Sequence, residues 1–208
     1  MDDHLRAGAA VFNAGHHHAA HDAWEDRWLA LEADTADERF LHGLIQFTAA
    51  VHHAQSANWA GLQGLARSAS GYLEDLDSGY RGLNLGEVRG YLRALAADPE
   101  HVERAAPPGL EVDGAAVRLE ELAFPATAIA AGVLSEELDR YDEAVIERAQ
   151  GFAEGAEGTD GDRFVALLGD FVADAERRGL IYERLAGHVE RRIAELEDVA
   201  GLFEEGGR

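Results

Sequence analysis

Apolar residues recur along this chain mainly at three- and four-residue spacing, the pattern of helices that bury one face. Leu5, Ala9 and Phe12 predict a short first helix over residues 2–12. Asn13 and Gly15 interrupt it, and a second helix is expected from about His16 to Leu31, a run that lacks proline and glycine. Thr35-Ala-Asp-Glu38 has the S/T-x-x-E form of a capping box and opens a third helix. In that helix Phe40, Leu41, Leu44, Ile45, Phe47, Ala49, Ala50 and Val51 leave few polar positions, so it should be buried. Asn58 suits the N-cap of a fourth helix through Leu76, with Leu62, Leu65, Ala69, Tyr72 and Leu73 inward. Ser78-Gly79 ends it, and Asn84 caps a helix to about Ala97. Asp98-Pro99 has the cap-then-proline order of one or two further turns through Arg104.

Pro107-Pro108-Gly109 is the sharpest break in the pattern. Beyond it Leu110 to Asp113, a Gly-Ala turn and Val117 to Leu119 alternate as a small hairpin, which Phe124-Pro125 ends. An alanine-rich packing segment runs to Leu134, and Ser135 is expected to cap a helix carrying Leu138, Tyr141, Val145, Ile146 and Phe152. A flexible acidic loop is expected over 155–161, then two helices over 162–178 and 180–205 with Gly179 between them. The last shows Leu180, Ile181, Leu185, Val189, Ile193, Leu196, Val199 and Leu202 at helical spacing, a stripe that one neighbour in the same chain explains. The expected class is therefore all-α, a multihelical bundle with one small β-hairpin near 110–120. Residues 1–80 form a helical domain carrying the polar site, and 81–208 pack on it as one compact unit. Arg39-Phe40, Leu44 and Phe47 recur at a fixed offset as Arg163-Phe164, Leu168 and Phe171. A duplicated hairpin would do this, and so would any two amphipathic helices. Asp170 and Arg177 stand where the first copy has Gln46 and His53.

The chemistry concentrates between Asn13 and Trp28. On a helix His17, His21, Glu25 and Trp28 share one stripe, flanked by His18 and Trp24. The H-x-x-x-E pair His21 and Glu25 can hold a divalent cation, or the two groups can hydrogen-bond each other. On the third helix His42, Gln46 and His53 place polar groups on an otherwise apolar element. Each such group must find a partner, because an unsatisfied one costs roughly 1–3 kcal/mol. The connection over 33–37 is short, so the two helices should lie antiparallel, letting His21 and Glu25 face Gln46 and His53.

Asn13-x-Gly15, His21-Asp22-x-Trp24-Glu25-x-x-Trp28, then Gly43-Leu44-Ile45-Gln46 with His53 and Asn58, resembles the small helical family known as domain of unknown function 309. The resemblance runs from about Val11 to Leu76, about a third of the chain. It implies that His21, Glu25, Trp28, Gln46 and His53 form the family's polar site, one suspected of holding metal. This chain has Ala19 where the family commonly has an acidic residue, His17 and His18 where aromatics are frequent, and Ala57-Asn58 where Gly-Asn is frequent. Either the site has one ligand fewer for the missing carboxylate, or His17 or His18 replaces it. The resemblance names a site and implies no reaction.

Composition narrows the setting. There are 40 acidic residues against 18 basic ones, a formal charge of −22, and every basic residue is arginine. An acidic chain without lysine resembles the proteins of salt-loving archaea. Dense carboxylates keep a surface hydrated, and the Debye length falls to about 3 Å at 1 M salt, so self-repulsion is tolerated. Acidity of that origin marks no docking site for basic partners. Nucleic acid as a partner is disfavoured, because its phosphates need a basic patch. With no cysteine, disulfides, thiolate sites and cysteine nucleophiles are excluded. No signal-peptide layout and no apolar run near the ~20 residues that span a bilayer are present, so a cytoplasmic, soluble protein with no membrane partner is expected. No nucleophile motif or phosphate loop appears.

Two readings stay open. In the first, His21, Glu25 and His53 bind a divalent transition metal (Zn, Mn, Fe or Ni), as imidazole and carboxylate donors prefer, with open positions for hydrolytic or oxygen chemistry. Gln46, His17, His18, Trp28 and Asn58 then surround the site. In the second, these residues form a buried hydrogen-bond network that fixes helix pairing. The protein then acts as a non-enzymatic module that binds a protein, a second copy of itself or a small ligand. Whether His21, Glu25 and His53 converge, or each pairs separately, discriminates the two.

Overall fold

The computed structural model describes residues 1–155 and 159–205 of the chain. The fold is all-α with one two-stranded sheet. The first half holds α1 (Asp2–Asn13), α2 (His17–Leu29), α3 (Ala36–Gln55), α4 (Trp59–Leu73), α5 (Leu85–Ala97) and the single turn α6 (His101–Arg104). The hairpin β1 (Glu111–Val112) and β2 (Ala115–Ala116) follows. The second half holds α7 (Phe124–Glu137), α8 (Glu143–Gly155), α9 (Thr159–Ala173) and α10 (Arg178–Glu205).

The expected caps form where their side chains reach. Thr35 Oγ1 accepts from the Glu38 amide at 3.2 Å, and Asn58 Oδ1 accepts from the Gly61 amide at 3.1 Å. The Glu38 carboxylate does not close the capping box; it accepts from Trp28 Nε1 at 2.7 Å. Asn84 is not a side-chain cap either. Its amide donates to the Gly109 carbonyl and accepts from the Glu111 amide, both at 3.0 Å, stitching the start of α5 to the hairpin. Asn13 does the same from the end of α1. Its Nδ2 donates to the Leu110 and Val117 carbonyls at 2.8 and 2.9 Å, and its Oδ1 accepts from the Leu110 amide at 2.7 Å.

α3 is the buried centre of the first half, packed chiefly on α2 and α4, with Phe40, Leu41, Leu44 and Phe47 fully buried. Phe47 meets Phe12 of α1 at 5.1 Å between ring centroids. α7 is the hub of the second half and packs on α1, α2, α8 and α9. One apolar core runs through both halves, because Ala126, Ala130 and Leu134 of α7 join it from one side and Trp24 and Val11 from the other. The two phenylalanine-bearing segments suspected of being a repeat both bury those residues, in α3 and in α9.

Several boundaries differ from expectation. The hairpin turn is Asp113-Gly114, not Gly-Ala: Val112 pairs with Ala115, and both turn residues have positive φ (57° and 79°), as a two-residue hairpin loop requires. Ser135 lies inside α7, where its hydroxyl bonds the Gly132 carbonyl at 2.7 Å. Asp142 instead opens α8, accepting from the Ala144 amide at 2.9 Å. α4 ends at Leu73 rather than Leu76. α9 ends at Ala173, and Gly179 falls within α10. The cause is Arg178, only 3% exposed, which reaches back to bond the Phe171 and Val172 carbonyls at 2.8 and 3.1 Å and so terminates α9. Of the acidic loop expected over 155–161, residues 156–158 lie outside the described ones, and α9 already begins at Thr159. The side chains of Val199 and Leu202 also lie outside them. No described helix is long and apolar enough to cross a membrane.

Asp37, in the first turn of α3, ties that helix to the 80–82 turn. It accepts from Tyr80 Oη and Arg81 Nε, both at 2.7 Å, and from Arg81 Nη2. The guanidinium, then the phenol hydroxyl, hold its carboxyl below the usual range. A depressed carboxyl contributes stability that is present above its unfolded value, about 3.9, and lost as pH falls through the folded one. Urea midpoints at constant salt should therefore fall less steeply below pH 4 in Asp37→Asn than in the parent chain. Equal acid limbs would show that this contact carries none of the acid sensitivity.

Candidate metal centre

The α2–α3 register is antiparallel, as the short connection predicts. Trp28 near the end of α2 lies 4.6 Å from His42 near the start of α3, and His17 at the start of α2 meets Gln55 at the end of α3 at 3.0 Å. Between these ends the polar residues separate into three groups.

The first is on α2 itself. One ligand atom from each of His21, Asp22 and Glu25 lies within 4.8 Å of the other two. All three residues are half-buried. His21 Nδ1 is 2.7 Å from Asp22 Oδ1, and the second oxygen of Asp22 is 3.4 Å from His18 Nδ1. The hydrogen bond from Asp22 raises the His21 pKa against the opposing effect of burial, with the charges of Asp22 and Glu25 adding to the rise. His17, one turn earlier, goes the other way: burial lowers it despite the charge of Glu137. Asp22 also borders a cavity of about 290 Å³ between α2, α7 and α8 that Glu136, Glu143 and Glu147 line. Burial, then the charges of Asp22 and Glu143, raise the Glu136 pKa.

The second group ties three helices together. Glu38 accepts from Trp28 Nε1 and stands 3.5 Å from His42 Nδ1. His42 Nε2 is 3.0 Å from Gln46 Nε2, and its ring stacks on Tyr72 of α4 at 3.9 Å between centroids. One tautomer satisfies this chain: Nδ1–H faces the carboxylate and Nε2 accepts from the amide. Gln46 Oε1 is buried with no partner among the described residues.

The third group is the α3–α4 turn. Asn58 Nδ2 donates to His53 Nδ1 at 2.7 Å. A Cβ on Gly61 would stand 2.6 Å from that ring nitrogen, so the glycine makes room for the imidazole.

The structure thus brings together His21 and Glu25 of the expected ligands and adds Asp22. His53 stands in the last turn of α3, bonded to Asn58 of the α3–α4 turn, and is not part of that group. Gln46 and Trp28 belong to the three-helix chain. His18 touches the site through Asp22, and its ring is 5.7 Å from His52. The stripe rule passed over Asp22 because neighbours in sequence diverge around a helix. Its signal was adjacency: an imidazole can fold back onto the carboxylate beside it. Glu137 of α7 accepts from the Ala19 amide at 2.7 Å and from His16 Nδ1 at 2.9 Å, placing a carboxylate at the positive end of α2.

Nitrogen with two carboxylates is a donor set for a divalent transition metal. Ligands at about 2.1 Å from an ion stand no more than about 4.2 Å apart, so a group spread within 4.8 Å needs only a small inward side-chain movement to close on one. No curated protein matches the chain. Residues 5–69, which span α1 to most of α4 and include every residue of these three groups except Tyr72, match the family described as Domain of unknown function (DUF309).

Proposed function

We propose that this protein is a helical metal-binding module whose divalent ion is held by His21, Asp22 and Glu25. The observation that carries the proposal is the approach of one nitrogen and two carboxylate donors, on a single helix, to within 4.8 Å of one another. Three protein ligands at a half-buried face leave coordination positions open toward the solvent and the adjoining cavity. A divalent ion bound there supplies Lewis acidity and an acidified water, the chemistry of metal-assisted hydrolysis. The chain's own groups then have distinct roles. His18 sits on the far oxygen of Asp22 and steadies that carboxylate, and Glu136 lines the cavity opposite it, its pKa raised by burial and by the charges of Asp22 and Glu143.

A second reading has its own observation in favour. Trp28–Glu38–His42–Gln46 and His53–Asn58 each form their hydrogen bonds without the α2 cluster. For these residues the role is to fix how α2, α3 and α4 meet, and a module acting by association needs nothing more from them.

Elemental analysis of untagged protein purified in high salt, without a nickel column, tests the first reading. Near one equivalent of a transition metal is expected, lost in His21→Ala and in Glu25→Gln, with far-UV circular dichroism unchanged. Asn58→Ala, which removes the α4 N-cap and the partner of His53 but touches none of the three ligands, should keep the metal. A protein that stays metal-free after incubation with Zn, Mn, Fe and Ni salts would leave the association module as the function.

A further inference from the structure

A cavity of about 690 Å³ lies away from α2, in the groove between α4 and α5. Its lining reverses the charge balance of the chain. Arg67, Arg89 and Arg93 border it against the single carboxylate Glu74, whereas the whole sequence has 40 acidic residues for 18 basic ones. Several arginines elsewhere meet a carboxylate, among them Arg6 with Asp113, Arg39 with Asp75, Arg81 with Asp37, Arg104 with Asp98 and Arg177 with Asp174. None of the three groove arginines forms an ion pair among the described residues. The sequence withholds partners as well. No acidic residue stands three or four positions from Arg67, Arg89 or Arg93 on its helix. Arg89 and Arg93 are themselves one turn apart, a like-charge pair that by itself destabilises a helix.

The guanidiniums are oriented by backbone. Arg89 Nη1 donates to the Leu73, Glu74 and Leu76 carbonyls at 3.1, 3.1 and 2.7 Å, which fixes its plane across the end of α4. Its role as a helix cap engages only that one nitrogen of the guanidinium. Arg93 Nε bonds the Arg89 carbonyl at 3.1 Å, and Arg67 Nη2 reaches across to the Ala96 carbonyl at 3.4 Å. Arg67 comes from α4, and Arg89 and Arg93 come from α5, so the charges approach the groove from both sides. Gly71 and Gly86 line it between them, and at Gly71 a Cβ would meet nothing within 4 Å.

We infer that the α4–α5 groove is a binding site for a small oxyanion-bearing molecule, a phosphate ester or a di- or tricarboxylate. The fork of a guanidinium matches the paired oxygens of either group. Three uncompensated cations in a chain of formal charge −22 mark a local requirement for negative charge that the protein's own abundant carboxylates do not meet. The volume exceeds that of one inorganic anion and suits a metabolite-sized ligand. Glu74 at the rim is placed to accept from a hydroxyl or amine of the same molecule. The site stands apart from the metal proposal, sharing none of its residues.

The test is a titration of 15N-labelled full-length protein with inorganic phosphate in one arm and succinate in the other, at the lowest salt that keeps it folded. Saturable shifts confined to the Gly71 and Gly86 amides and the three arginine Nε–H groups are expected, weakened at least tenfold in the Arg67→Gln/Arg93→Gln double variant. Neither substitution removes a buried contact, and Arg89 is left alone because its loss would also uncap α4. Response to phosphate alone assigns a phosphate ester, and response to succinate alone assigns a carboxylate. Shifts that never saturate, that scatter over the surface, or that survive unchanged in the double variant overturn the site.

Discussion

Gly8→Ala should destabilise the protein severely, and replacing Trp24 in the same chain should recover part of the loss. Trp24 is fully buried, and the nitrogen-bearing side of its indole packs closely against Gly8. A Cβ on that glycine would stand 2.1 Å from Nε1 and 2.3 Å from Cε2, well inside contact distance. The neighbour that must give way is a rigid ring enclosed by the core, not the tip of a flexible chain. Overpacking of this kind costs about 1–3 kcal/mol, and this contact belongs at the upper end. Trp24→Ala alone should cost about 3–5 kcal/mol by opening a cavity. The two changes share one volume, so they cannot add. Gly8→Ala with Trp24→Ala should be more stable than the sum of the single effects predicts, by at least 1 kcal/mol. Urea unfolding of the four proteins at one fixed salt concentration reads this directly. Strict additivity would show that α1 and α2 separate slightly and that the close contact is not retained in solution.

Glu38→Ala comes second, with an expected loss of about 2–3 kcal/mol. The carboxylate accepts from Trp28 Nε1 and faces His42 Nδ1, so alanine strands two donors where α2, α3 and α4 meet. It also takes an acidic group from the first turn of α3, a smaller effect of a few tenths of a kcal/mol. Glu38→Gln should cost much less. Its amide oxygen still accepts from the indole, and His42 can move its proton to Nε2 and donate to a rotated Gln46, giving the unpartnered Gln46 oxygen a partner. Chemical denaturation gives the energies, and Trp28 fluorescence reports the indole's loss of its acceptor. Metal content should be unchanged in Glu38→Gln, because this chain shares no residue with His21, Asp22 and Glu25. Metal lost from Glu38→Gln while the fold persists would join the two groups into one site and overturn their separation.

The sequence alone determined the all-α class, the hairpin, most helix starts, and the antiparallel pairing of α2 with α3. These follow from rules that act within a few residues: apolar spacing, a cap at the right position, a connection too short for anything but an adjacent return. His21 with Glu25 was legible for the same reason, since residues one turn apart on a helix must be neighbours. The helix ends were less legible where a distant group supplies the cap. α9 stops at Ala173 because the buried Arg178 takes its last carbonyls, and α2 begins against Glu137 of α7. Tertiary structure alone decided the partners of the remaining polar residues. Gln46 and His53 lie on the helix that faces His21, yet Gln46 bonds His42 on its own helix and His53 is held by Asn58 in the turn, because a side chain takes the first partner within reach. It also decided which arginines meet carboxylates and which three gather in the α4–α5 groove. Spacing along a chain fixes what shares a helix face; which faces meet, and at what height, is fixed by the packing of Trp24 on Gly8 and of α3 between its neighbours.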